Sequence, residues 1–207
     1  MSVVLEMVKG WTVGQLAALV YKMGDENARR ILSCRKVVVT FEDTNQTAAI
    51  TATSLILDCS KPFDPVAFIG EGWKELEGDE RALALKQVDF STCQFLTCLK
   101  EGDGYIKGEE KLRRLKEDYP QLIRHGGNQF LALWEDYMKN GNNSVLEHLR
   151  RTQDITYLDF FGLILQRPYG PRLILSLYWD GGHWCCHYRW LTNELGDREW
   201  SSVSPVS

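Results

Sequence analysis

The segment DGGHWCCHYRW, residues 180 to 190, places His183, Cys185, Cys186 and His187 within five positions of one another, directly after a glycine turn. These are the residue types that ligate zinc, supply thiolate nucleophiles and move protons near neutral pH. Their spacing decides which of those chemistries is open. An Asp-Gly pair between alternating apolar runs is a strong hairpin signal, so the segment reads as a strand returning against RLILSLYW, residues 172 to 179. Successive side chains on a strand point to opposite faces, so Cys185 and Cys186 cannot aim at one ion. His183, Cys185 and His187 share a face but span about 13 Å at strand rise. Zinc holds its ligands at about 2.0 to 2.3 Å, so all three cannot reach a single ion from a regular strand. Cys185 has a histidine on either side, yet it sits in mid-strand, whereas a nucleophilic thiol needs an adjacent base and a lowered pKa.

The same counting gives a partition of side chains. A turn at Asp180 and Gly181 sets Leu177 opposite Trp184, Leu175 opposite Cys186 and Leu173 opposite Tyr188; a turn at Gly181 and Gly182 changes the partners and keeps the faces. Trp184, Cys186, Tyr188 and Trp190 are therefore expected in the core with the three leucines. Tyr178, His183, Cys185, His187 and Arg189 are expected on the other side and are the candidate binding residues. No catalytic residue, metal ligand or cofactor is assigned.

Other motifs carry less. LKEGDGYIKGEE, residues 99 to 110, aligns with a calcium loop at Glu101, Asp103, Gly104, Ile106 and Glu110, but Leu99 occupies the first ligand position, where a carboxylate is required. The arginine clusters at Arg29 and Arg30 and at Arg113 and Arg114 follow glutamates or aspartates four residues earlier, the spacing of a solvated, paired helix face. The pairs Gly70 and Gly72, and Gly102 and Gly104, lack the third glycine of a dinucleotide loop. His125 is expected at a helix C-terminus, where it would suit the helix dipole, and His148 among apolar neighbours on a short helix. The six cysteines are expected to be buried thiols.

The elements that would position these residues follow from periodicity. Thr12 with Gln15 opens one helix and Asp25 a second, which ends near Ser33. Strands are expected at 36 to 41, 47 to 57 and 65 to 70, a short helix in GDERALAL, and extended chain in QVDF and QFLTCL. Helices are then expected from Glu109 to about Asp118, from Asn128 to about Lys139, and from Val145 to about Thr152, the last opened by Ser144 and Glu147. Strands near 155 to 166, 172 to 179 and 183 to 191 close the chain, and SSVSPVS is expected to fray. The fold class is α+β: an N-terminal helical pair, a mixed middle and a C-terminal antiparallel three-stranded meander. Residues 1 to 107 and 108 to 207 form two parts, which one continuous domain would also accommodate.

The chain has 207 residues, 44% of them hydrophobic, with a net charge of -4. It is long enough to bury an ordinary core, and its charge gives no attraction to nucleic acid or to an anionic membrane. No apolar run reaches a membrane-spanning length and the first residues lack the features of a signal peptide, so a cytoplasmic location is expected.

The stretches MGDENARRIL, FDPVAFIGEGW, GEEKLRRLKEDYPQLIRHGGNQFLALWEDY, NGNNSVLEHLR, ITYLDFFGLIL and LYWDGG resemble a recurring group of hypothetical proteins from the genomes of small uncultivated bacteria. The resemblance runs from about Met23 to Trp190. It implies a bacterial source and transfers no activity, ligand or residue role. The expected function is that of a non-enzymatic binding or interaction protein, acting on a protein or small-molecule partner through an aromatic-rich sheet surface. The alternative is a Cys/His-dependent enzyme or metal-binding protein centred on residues 183 to 187.

Overall fold

The computed structural model describes residues 55–206, all within the second of the two compact units into which the chain divides, Ile50–Ser207. The N-terminal helical pair, the strand at 36 to 41 and most of the one at 47 to 57 lie outside the described residues.

The described part is α+β. In chain order it comprises β1 (Ile56–Asp58), α1 (Pro65–Ile69), β2 (Lys74–Gly78), α2 (Glu80–Ala84), β3 (Gln87–Asp89), β4 (Gln94–Leu96) and β5 (Ile106–Lys107). There follow α3 (Gly108–Glu117), β6 (Leu122–Arg124), α4 (Gly127–Asn140), α5 (Val145–Gln153), β7 (Tyr157–Gln166), β8 (Arg172–Asp180), β9 (His183–Trp190), β10 (Glu194–Leu195) and β11 (Trp200–Pro205). Strands β7, β8 and β9 form the expected antiparallel meander, with the tight turn at Gly181 and Gly182, so that Asp180 faces His183 and Leu177 faces Cys186.

The meander is one part of a larger sheet, ordered β4-β11-β7-β8-β9, with β2 added to β7 and β6 added to β11. The segment expected to fray is a strand as far as Pro205. Residues 200 to 205 form β11, which runs parallel to β7 and antiparallel to β4 and β6, and Ser201, Ser202, Val203 and Ser204 are buried. A terminal segment with few large apolar residues is held here by strands on both of its edges, which local composition does not reveal.

The segment 65 to 70, expected as a strand, is helix α1. The Asp64 carboxylate accepts hydrogen bonds from the N–H groups of Val66 and Ala67, and Pro65 takes the first helical position, so two N-terminal signals outweigh the β-branched composition. Asp64→Ala should therefore cost about 1 kcal/mol in urea unfolding, and Asp64→Asn, which keeps an acceptor oxygen, should cost much less.

The sheet is covered on both faces. On one side Phe130 and Leu133 of α4 and Val145, Leu146 and Leu149 of α5 pack on Leu158, Phe160, Leu173, Leu175, Leu177 and Trp184. On the other, Leu112 and Leu115 of α3 meet Phe161, Ile164, Ile174 and Val203, together with Leu191 and Leu195. Strand β7 serves both cores, which is why its apolar run is nearly continuous. Its pairing with β8 is interrupted between Phe160 and Leu165. There Gly162 donates its N–H to His125 O at 2.7 Å, so close that a Cβ would stand 2.0 Å from the Arg124 carbonyl oxygen.

Candidate functional site

Face alternation places Tyr178, Cys185, His187 and Arg189 together on the α3 side of the sheet, as the residue types require. His183 is on the same side but sits at the hairpin end, opposite Asp180. Tyr178 is the centre of the group. Its ring stacks on Tyr157 at 5.4 Å and 18°, and His187 meets it edge-on at 5.8 Å. Arg189 lies 4.6 Å over the Tyr157 ring and pairs with Glu199 at 3.4 Å. The neighbouring Cys185 holds the Tyr178 phenol above its ordinary range.

Beneath these residues, register brings four strands into one polar row: Ser201 of β11, Asp159 of β7, Ser176 of β8 and His187 of β9. Ser176 Oγ donates to Asp159 Oδ1 at 2.6 Å. Lys111 enters from α3, wholly buried, and its Nζ donates to the Glu199 carbonyl at 2.5 Å. Burial pushes the Asp159 carboxyl up, against the pull of Lys111 and Arg189. It pushes the Lys111 amine down, against the pull of Asp159. Desolvation thus outweighs mutual attraction for both groups, the expected order when charges lie deep and are not in direct contact. Sequence reasoning missed this row. Its one local sign is Lys111 itself, a charge placed one turn before Leu115 on the buried stripe of α3.

The opposite face corrects part of the expected partition. Trp184 is buried and Cys186 packs against the core, but Tyr188 and Trp190 remain 40% and 52% exposed. Helices α4 and α5 cover the hairpin end of β9 and leave the far end open, where the Tyr188 ring meets Trp73 at 5.3 Å and stacks on His187 at 5.5 Å. Nor is the α3 side simply a polar face, since Ile174 and Ser176 are fully buried there.

His125 is not at a helix C-terminus. It follows β6, is fully buried, and hydrogen-bonds through Nδ1 to Ser202 Oγ at 2.8 Å and through Nε2 to Ser204 Oγ at 2.6 Å. The period-two serines of SSVS put both hydroxyls on one side of β11, a signal visible in the sequence only once that segment is known to be a strand. Cys93 Sγ lies 3.6 Å from Ser204 Oγ, giving a chain from thiol to hydroxyl to imidazole. Burial raises the thiol to about 11 and lowers the imidazole to about 3, so desolvation favours the neutral form of both groups and opposes a thiolate-imidazolium pair.

Asp103 and Glu110, the calcium-loop candidates, are both bound by Arg114. Among the described residues no three His, Cys, Asp or Glu side chains converge as a metal site would require, and no helix is long and apolar enough to cross a membrane. Comparison with protein-family models, with curated proteins and with solved structures finds no match to this chain.

Proposed function

We propose that the chain is a non-enzymatic interaction protein that binds a protein partner along β9. One observation carries this reading: Tyr188 and Trp190 stand exposed side by side at one end of a strand whose other end buries Trp184. Large aromatics left in water forgo the free energy that burial supplies, and paired exposed aromatics are characteristic of the anchor residues of interfaces. The setting is rigid. Tyr188 leans on Trp73, which Arg167 covers from 4.5 Å, and the strand is in unbroken register with β8 over eight pairs. An anchor held this way loses little conformational entropy on binding.

Selection of a random twelve-residue peptide library on the immobilised protein tests the reading. Enriched clones should lose at least tenfold in capture on the Tyr188→Ser, Trp190→Ser double variant. Enrichment that ignores both substitutions, or none at all, overturns it.

A further inference from the structure

A cavity of about 280 Å³ opens between β2, α2 and the start of α4, and no residue of β9 lines it. Its walls are set by close backbone approaches. Asp79 donates its N–H to Gly162 O at 3.0 Å, and a Cβ on Gly126 would stand 2.8 Å from the same oxygen, so the end of β2 and the start of α4 flank Gly162 as adjoining walls. Gln129 ties in the third, taking the Gly126 N–H on Oε1 and donating from Nε2 to Ala82 O of α2. Ligand sites span about 300 to 1,000 Å³, so this one suits a small molecule.

One wall offers donors. Helix α4 has a glycine N-cap, which supplies no side-chain acceptor, and the N–H groups of Gly127 and Asn128 have no acceptor among the described residues although both residues are buried. Helix ends buried in this way are satisfied by water or by a ligand. Asn128, 6% exposed, adds a third donor. Its Oδ1 accepts the Phe63 N–H at 2.9 Å, so Nδ2, which has no partner among the described residues, faces the cavity that Asn128 lines. These groups and the positive end of the helix dipole together suit a carboxylate.

The adjoining wall offers acceptors. Of the carboxylates that line it, Glu77 is taken by Lys116 and Arg172 and Asp79 by Arg81 and Arg124, which leaves Glu75 and Glu80 without an ion pair among the described residues. The Glu75 carboxylate lies over Gly78, with Oε1 2.9 Å from where a Cβ would stand. Two such charges repel phosphate and other multiply charged anions, so the ligand that suits donors and acids together carries one carboxylate and one ammonium. Leu76 and Leu83, 51% and 54% exposed, line the same cavity and offer an apolar side chain cover. We infer that the cavity binds an apolar α-amino acid, with its carboxylate on the Gly127 and Asn128 donors, its ammonium at Glu75 and Glu80, and its side chain against Leu76 and Leu83.

Leucine is the probe, beside two analogues that each lack one of its charged groups: isocaproate, without the ammonium, and isoamylamine, without the carboxylate. In amide NMR spectra of the isotope-labelled full chain, leucine should shift the Gly127 and Asn128 resonances saturably, and both analogues should bind at least tenfold more weakly. The double variant Glu75→Gln, Glu80→Gln, altered only at exposed side chains, should weaken leucine binding at least tenfold. Asn128→Asp keeps the acceptor for Phe63 and puts an anionic oxygen in place of the donor, so it should abolish binding; if that variant fails to fold, the double variant and the analogues decide. Isocaproate binding as tightly as leucine, or inorganic phosphate binding more tightly, would overturn the ammonium assignment and with it the ligand class. If leucine, valine, methionine and phenylalanine all leave the Gly127 and Asn128 amides unmoved, the site itself is wrong. Neither result bears on Tyr188 and Trp190, so the reading of β9 stands or falls separately.

Discussion

Trp184→Ala should lower the unfolding free energy by about 3 to 5 kcal/mol, while His183→Ala on the same strand should cost under about 1 kcal/mol. The contrast follows from position alone, since the two residues are adjacent in sequence and point to opposite faces. The indole is 1% exposed among Leu177, Leu146, Leu149 and their neighbours, so truncation leaves a cavity that a packed core refills poorly. It also removes a hydrogen bond of 3.0 Å from Trp184 Nε1 to Glu147 Oε1. Glu147 is itself buried, with Arg150 as its counter-ion at 2.9 Å, and a buried carboxylate that loses a donor keeps its desolvation cost. Trp184→Phe separates the two contributions, because it retains much of the volume and none of the donor. Urea unfolding of the three variants measures all of this. An effect of His183→Ala as large as that of Trp184→Ala would show that the assignment of faces is wrong.

Acid should weaken the fold before its carboxylates begin to titrate. His125 is held neutral by burial, at about 3 against an ordinary 6.5, with the Asp79 charge opposing the shift only weakly. The unfolded chain therefore takes up a proton on this residue first as pH falls. The stability tied to neutral His125 is fully present above about pH 6.5 and declines towards pH 3, by up to about 1.4 kcal/mol per pH unit and about 3 kcal/mol by pH 4.5. Asp79, Asp103, Asp118 and Glu110 are held below their ordinary values by hydrogen bonds and arginine or lysine partners, so their share is lost only at lower pH. Asp159, whose carboxyl is pushed up, acts with the opposite sign. Comparison of urea midpoints at pH 7.5, 6.0 and 4.5 between the native protein and His125→Asn cancels that contribution, which both share. The variant should show a markedly flatter dependence between pH 6.5 and 4.5. Parallel curves would mean that His125 is protonated within the fold, or that its hydrogen bonds to Ser202 and Ser204 persist with charge.

The C-terminal meander, its register parity and the helices from Gly108 to Gln153 were legible in the sequence. Each is set by interactions between residues close along the chain: a two-residue turn, alternation with period two, caps such as Ser144, and apolar stripes with helical spacing. For the same reason Tyr178, Cys185, His187 and Arg189 could be placed together on one face of the sheet. What tertiary structure alone decided depends on strands that meet across long separations. Strand β11 pairs with β4 and β7 although half of its residues are serines, and β6 is three residues long, so neither has a local pattern strong enough to read. The row Ser201, Asp159, Ser176 and His187 exists only because three pairings share one register, and His125 became a buried, neutral base only when β11 brought Ser202 and Ser204 to its two nitrogens. Exposure of Tyr188 and Trp190 was hidden for a related reason. Alternation fixes which face a side chain takes, while the reach of α4 and α5 across the sheet determines how far along the strand that face is covered.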